Sequence, residues 1–233
     1  FRLWAAIEGN LEKTDFRCSS ERIEGAGKTI NKLWNVARFI SLFNEPKKPK
    51  KSEELDKWII TELNKLTLHA RKQYEEYDFH NPSIAIKHFL WETFASHYIE
   101  LVKNRAYNQE KVFSKQEQES AQYTLYLCLR ILLRLLAPII PLVTESLYET
   151  LYRKEIHKED FPNQEQGTTK IKTESLLELN SAIWKAKKEK NLPLKTEIKK
   201  LTIAKEFKFI EKDLKATHKI KEITFGSEMS ISL

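Results

Sequence analysis

Apolar residues recur at three- and four-residue steps through most of the first 155 positions, the period of a helix that buries one face. The spacing predicts helices over 20–43, 54–77, 82–107, 116–137 and 141–152. Ser19 or Ser20 stands where the first needs an N-cap, and Glu21 and Glu24 occupy its opening turns, where acids meet the positive end of the helix dipole. In the second, Leu55, Ile59, Leu63, Leu66 and Ala70 share a face, and in the third Ile86, Phe89, Leu90, Thr93, Phe94, His97, Tyr98 and Leu101 do. The fourth is apolar nearly all round from Leu125, as a central helix would be. It stops before Pro138, and Pro141 opens the next. Arg130, Arg134 and the two prolines interrupt the run 125–143, which therefore reads as bundle core and not as a membrane span.

Two stretches break this pattern. Asn44–Ser52 carries two prolines among like charges and reads as a loop, and a polar run over 158–169 holds Pro162 and Gly167. Beyond it the period changes. A lysine-rich helix over 173–190 has Leu176, Leu179, Ile183 and Ala186 as its stripe. After Pro193 come three alternating segments, 198–203, 220–225 and 229–233, with a short charged helix near 207–216 between the first two. The expected architecture is mainly α: a helical bundle followed by a small α+β domain. Its divisions are a remnant of a preceding domain (1–8), a helical domain (9–157), a linker (158–172) and the α+β domain (173–233).

Charge sharpens the picture. The 233 residues carry +7, with Lys+Arg 40 against Asp+Glu 33, and the excess is patterned. Residues 28–51 hold seven Lys/Arg against Glu45 alone, net +6, and residues 185–221 hold thirteen Lys against five acids, net +8. Such blocks are either solvated surface or the footprint of a polyanion. The two cysteines, Cys18 and Cys128, make no disulfide framework, and no Cys/His cluster has zinc-site spacing. The six histidines are scattered; His97 lies on the apolar side of its helix and reads as a hydrogen-bonded core residue. Trp34, Trp58, Trp91 and Trp184 read as core or near-core anchors, and Cys128 as a small hydrophobe.

The segment 28–43 is unusual for a plain bundle. Ile30, Leu33, Trp34, Ala37 and Ile40 form its expected core arc, and opposite lie Lys28, Asn31, Lys32, Asn35 and Arg38, with Phe39 among them. Phe39 is either covered by another element or is an outward-looking ring, kept bare, on which an unpaired base stacks. In the second case Lys28, Lys32 and Arg38 would hold phosphates or base edges, and the Asn35 amide has both donor and acceptor for an edge.

Here the sequence resembles a known family. Asn31-Lys32-Leu33-Trp34-Asn35-Val36-Ala37-Arg38-Phe39 is similar to the segment that begins the anticodon-binding helical domain of valyl-tRNA synthetases. Leu55-Asp56-Lys57-Trp58-Ile59, Tyr77-Asp78-Phe79, Tyr98-Ile99-Glu100-Leu101-Val102-Lys103 and Leu135-Leu136-Ala137-Pro138-Ile139-Ile140-Pro141-Leu142-Val143-Thr144-Glu145 follow in the family's order, and Phe1-Arg2-Leu3-Trp4-Ala5-Ala6 resembles the stretch before it. The resemblance implies that Lys32, Arg38 and Phe39 contact anticodon bases and that Leu101 packs beside the same loop. Many members have a basic residue where this chain has Glu21; Arg22 is one step away, on a different face. No heptad-patterned tail is present, as in an archaeal-type or truncated form.

The resemblance implies tRNA(Val) and a catalytic domain of the same polypeptide as partners, in the cytoplasm and without a membrane. ATP and magnesium would belong to that parent enzyme and no cofactor to this portion. The His-x-Gly-His and Lys-Met-Ser-Lys-Ser motifs of class I synthetases do not occur, nor does a P-loop, so this portion by itself is expected to catalyse nothing. The competing class is a helical scaffold that binds protein partners without RNA specificity.

Overall fold

Helices form where the three- and four-residue spacing places them, and strands where it gives way to alternation. The structure, a computed structural model, describes residues 2–9, 19–226 and 228–232. Phe1, Cys18 and Leu233, which figure in the expectations above, lie outside the described residues. The elements are α1 (Arg2–Ile7), α2 (Ser20–Ile40), α3 (Glu54–Glu75), α4 (His80–His88), a π-helical stretch (Phe89–Ile99), α5 (Glu100–Tyr107), α6 (Lys115–Leu136), α7 (Pro141–Tyr152), α8 (Thr173–Glu189), β1 (Ile198–Ile203), α9 (Glu211–His218), β2 (Ile220–Phe225) and β3 (Ser230–Ser232). Short 3₁₀ segments add Ile156–Lys158 and precede α9 at Lys205–Ile210. Ser19 takes the N-cap position of α2 in extended backbone, yet its side chain makes no cap hydrogen bond.

The expected single helix over 82–107 is instead three helical stretches. All eight residues assigned to its apolar side are buried, as expected, but Ala95, Ile99 and Val102 are buried too. The π stretch has an extra residue per turn, which advances the register and lets more of the circumference face protein. α6 behaves as read: Leu125, Cys128, Leu129, Leu132, Leu133 and Leu136 are inaccessible.

The chain divides into two units, and each interleaves several stretches. Unit 1 comprises residues 1–46, 62–95 and 123–166. Trp4 of α1 is fully buried, and Lys87 pairs with Glu8 at 2.8 Å. The core of the unit includes Leu33, Ile40, Leu63, Ile86, Phe94 and Leu132. The stretch leading to 166 is strapped along α3. Asn64 and Glu165 exchange two hydrogen bonds (2.7 and 2.9 Å), and the Arg71 guanidinium lies over the Phe161 ring at 4.6 Å.

Unit 2 comprises residues 47–61, 96–122 and 167–233. Its three stretches are tied by one buried cluster. Arg105 donates to both Asp56 oxygens (2.9 and 2.8 Å) and, through Nε, to Asp213 (2.9 Å), while Tyr98 and Ser120 donate to Asp56 as well. Burial alone would raise the Asp56 pKa, but Arg105 and these donors hold it below its ordinary value. The sheet has the order β2-β1-β3, with β1 parallel to β2 and antiparallel to β3. Gly167 is needed where it stands, because a Cβ there would meet Ile60 at 2.9 Å. His97 is a hydrogen-bonded core residue as expected: Asn180 donates to its Nδ1 at 3.0 Å and accepts from His218 Nε2 at 2.7 Å.

Candidate nucleic-acid interface

α2 turns its core side inward along Ala26, Thr29, Leu33, Val36, Ala37 and Ile40. At roughly 100° per residue this arc is centred about 40° away from the one expected, because Ala26, Thr29 and Val36 belong to it. The shift has one large consequence. Trp34, expected in the core, is 48% exposed. Trp58 is fully buried, whereas Trp91 and Trp184 are half-buried, near-core positions.

The solvent side of α2 therefore presents Lys28, Asn31, Trp34, Asn35 and Arg38, all exposed, with Lys32 and Phe39 half-buried at its margin. Trp34 and Arg38 are one turn apart, and Asn31 and Asn35 lie between them and Lys28 around the helix. Arg38 sits in the last turn, where its charge complements the helix dipole, and Ser41 Oγ donates to its carbonyl at 2.8 Å. Lys32 reaches over the Trp91 indole at 5.2 Å, a cation–π contact that aims the side chain. The Trp91 N–H in turn donates to Thr29 Oγ1 at 3.4 Å.

Phe39 is neither bare nor sealed. Its ring meets Phe43 edge-to-face, with centroids 5.4 Å apart and planes at 88°. The Phe43 carbonyl accepts from Tyr126 at 2.7 Å, so this aromatic pair is held from below. The expectation of a fully uncovered ring is thus corrected: Phe39 is oriented by protein on one edge, and the more exposed ring on this helix is Trp34.

Two other expected site residues are placed differently. Leu101 is fully buried within unit 2, and the carbonyl of that residue accepts from Thr217 at 2.9 Å, so the side chain offers no surface to a ligand. Arg22 is exposed, but sixteen residues before Arg38 it lies about 24 Å away along the axis, on the side of the helix that carries Ile40.

Such a face suits single-stranded RNA. Flat rings take the bases, amides meet base edges, and cations meet phosphates. Lys28, Lys32 and Arg38 are in no ion pair with the described residues, so no carboxylate among those residues need be displaced. Among the described residues no group of three or more His, Cys, Asp or Glu could hold a metal ion, and no helix is long and apolar enough to cross a membrane.

A family model described as the anticodon-binding domain of tRNA ligase matches residues 56–203. The chain belongs to that family.

α2 precedes the matched stretch, but similarity to whole relatives takes it in. The valine–tRNA ligase of Pyrobaculum aerophilum is 34% identical over 229 residues, which is 97% of this chain and 28% of the relative. That of Aeropyrum pernix is 33% identical over 246 residues, 99% and 30%. That of Rickettsia felis is 33% identical over 245 residues, 98% and 28%. The chain thus spans less than a third of the length of these curated relatives. In this anticodon-binding domain, Trp34 is the surface residue that sequence reasoning missed. Counting Ala26 and Val36 into the apolar arc would have placed its indole at the margin of the buried stripe.

Proposed function

We propose that this chain is the anticodon-binding part of a valine–tRNA ligase, gripping the anticodon loop of tRNA(Val) with the exposed face of α2. The observation that carries the reading is the juxtaposition of an exposed indole, two exposed amides and cations that make no ion pair among the described residues, on one helical face of a family member. Bases flipped from the loop stack on Trp34 and against the margin held by Phe39, Asn31 and Asn35 meet their edges, and Lys28, Lys32 and Arg38 meet phosphates or purine acceptors. Arg22 and Leu101 have no contact role in this arrangement.

Binding energy gathered here would position the acceptor end of the tRNA in a catalytic domain of the same polypeptide, where ATP and magnesium act. A wrong anticodon leaves the amides and cations unpaired, and that penalty is the source of discrimination. The activity belongs to the whole ligase in the cytoplasm. The chain described here supplies recognition.

The test is an affinity titration against tRNA(Val) and an anticodon-swapped copy at two salt concentrations. The reading expects tighter binding of the matched tRNA and steep weakening with salt through counterion release. Salt-insensitive binding with no preference between the two would favour a protein-binding scaffold.

A further inference from the structure

We infer that the lysine-crowded end of unit 2 is a second RNA contact, one that takes backbone phosphates without reading bases. This rests on RNA being the partner, but not on how the anticodon is read.

Several hydrogen bonds bring the relevant residues together. Lys187, near the end of α8, is inaccessible to solvent, and its ammonium donates to the carbonyls of Leu194 (2.8 Å) and His218 (3.0 Å). The N–H of Leu192 donates back to the Lys187 carbonyl at 2.9 Å, and that of Ile198 donates to Lys219 at 2.9 Å. The end of α8, the connection to β1 and the turn from α9 into β2 are thereby gathered at one place. Around it Lys188, Lys190, Lys195, Lys199 and Lys219 are all exposed. The neighbouring acids are already engaged: Glu189 faces Lys185 at 3.9 Å, and Glu197 pairs with Lys221 at 2.6 Å. Lys188, Lys190, Lys195, Lys199 and Lys219 have no ion pair among the described residues.

Helix ends explain only part of this. Lys188 and Lys190 close α8 and Lys219 caps α9, positions that the dipole favours for cations. Lys195 and Lys199 lie on a connection and a strand, where no dipole calls for them. Lys187 adds a buried positive charge behind these exposed side chains. Its ammonium faces carbonyls and, among the described residues, no carboxylate, and burial together with nearby Lys219 pushes its pKa down. A phosphate held by the exposed lysines would offset the repulsion between Lys219 and the buried ammonium.

The chemistry selects the occupant. Lysine offers a mobile point charge and lacks the planar fork that reads guanine, and the cluster presents no exposed aromatic ring for stacking. Those are the properties of a grip on a sugar–phosphate backbone.

The experiment uses the triple variant Lys188→Gln, Lys195→Gln, Lys219→Gln of the whole chain. Its probes are tRNA(Val), the anticodon-swapped copy and a loopless RNA duplex of about 12 base pairs. Losing three phosphate contacts should weaken all three RNAs by roughly tenfold or more at about 0.1 M salt and flatten the log–log salt slope by about two to three. The matching Lys→Arg triple should bind like the parent. Unchanged duplex affinity and slope in the Gln variant would overturn the inference, as would a loss confined to the matched tRNA. A parent chain that holds the duplex through these lysines but ignores the anticodon would overturn the reading of α2 and leave this one standing.

Discussion

Trp34 and Arg38 stand one turn apart on the exposed face of α2, an indole 48% open to solvent beside a cation that closes the helix. A ring so exposed contributes little to the core. Trp34→Ala should therefore shift the melting temperature by no more than a degree or two, while weakening binding of the anticodon stem-loop by roughly 1–3 kcal/mol. Thermal melts and titrations of the same preparation check both halves. Early melting with normal binding would make Trp34 a packing residue.

Phe39 should respond differently. Held edge-to-face by Phe43, it contributes to folding as well as to the surface. Phe39→Ala should lose about 1 kcal/mol or more of stability and also weaken tRNA binding. Denaturant melts and titration separate the two effects.

Arg38 and Lys32 should differ in specificity. Arg38→Ala should narrow the affinity gap between matched and swapped anticodons, because its planar guanidinium can grip the two acceptors of a guanine edge at once. Lys32→Ala frees the Trp91 face and should weaken both RNAs more evenly. Equal losses for both RNAs with Arg38→Ala would make Arg38 a phosphate contact only.

The buried Asp56–Arg105 pair predicts a stability effect without RNA. Asp56→Ala leaves Arg105 facing Asp213 with two of its hydrogen bonds lost. Breaking one partner of such a pair should cost about 3–5 kcal/mol in urea unfolding.

His218 sets a pH dependence. Burial, with Lys187 beside it, lowers its pKa from 6.5 to about 3, so the folded state keeps it neutral between Asn180 and Trp184. A depressed folded pKa contributes stability above pH 6.5 that drains away as pH falls toward 3. Asp213 opposes this. Burial raises its pKa from 3.8 to about 6, so it returns stability as pH falls through that window. The histidine shift is the larger, and His218→Gln should flatten the acid-side loss of stability between pH 6.5 and 4, measured by urea unfolding at several pH values.

Much of the fold was legible because burial imposes a period. The limits of α7, β1 and β2 follow directly from Pro141, Tyr152 and the alternating runs. The π stretch was not legible, since its residues also fit an α-helical stripe and only the tertiary surroundings select the wider turn. Lys187 and Asn180 were missed for a related reason. A buried polar side chain looks like a surface residue until its partners, the Leu194 and His218 carbonyls and two imidazoles, are in place. At the candidate interface, Lys28, Asn35 and Arg38 were readable from the wheel. Trp34 was not, because an indole next to Leu33 counts as core until the arc is centred on Ala26, Val36 and Ile40 together.

The most direct measurement follows the five indole N–H signals, those of Trp4, Trp34, Trp58, Trp91 and Trp184, by NMR as the valine anticodon stem-loop is titrated in. The Trp34 resonance, assigned by its loss in Trp34→Phe, should shift most, with Trp91 beside Lys32 following and buried Trp58 unmoved. The swapped stem-loop should give a smaller response. A Trp34 signal that stays still while the RNA binds elsewhere would contradict recognition through the outer face of α2.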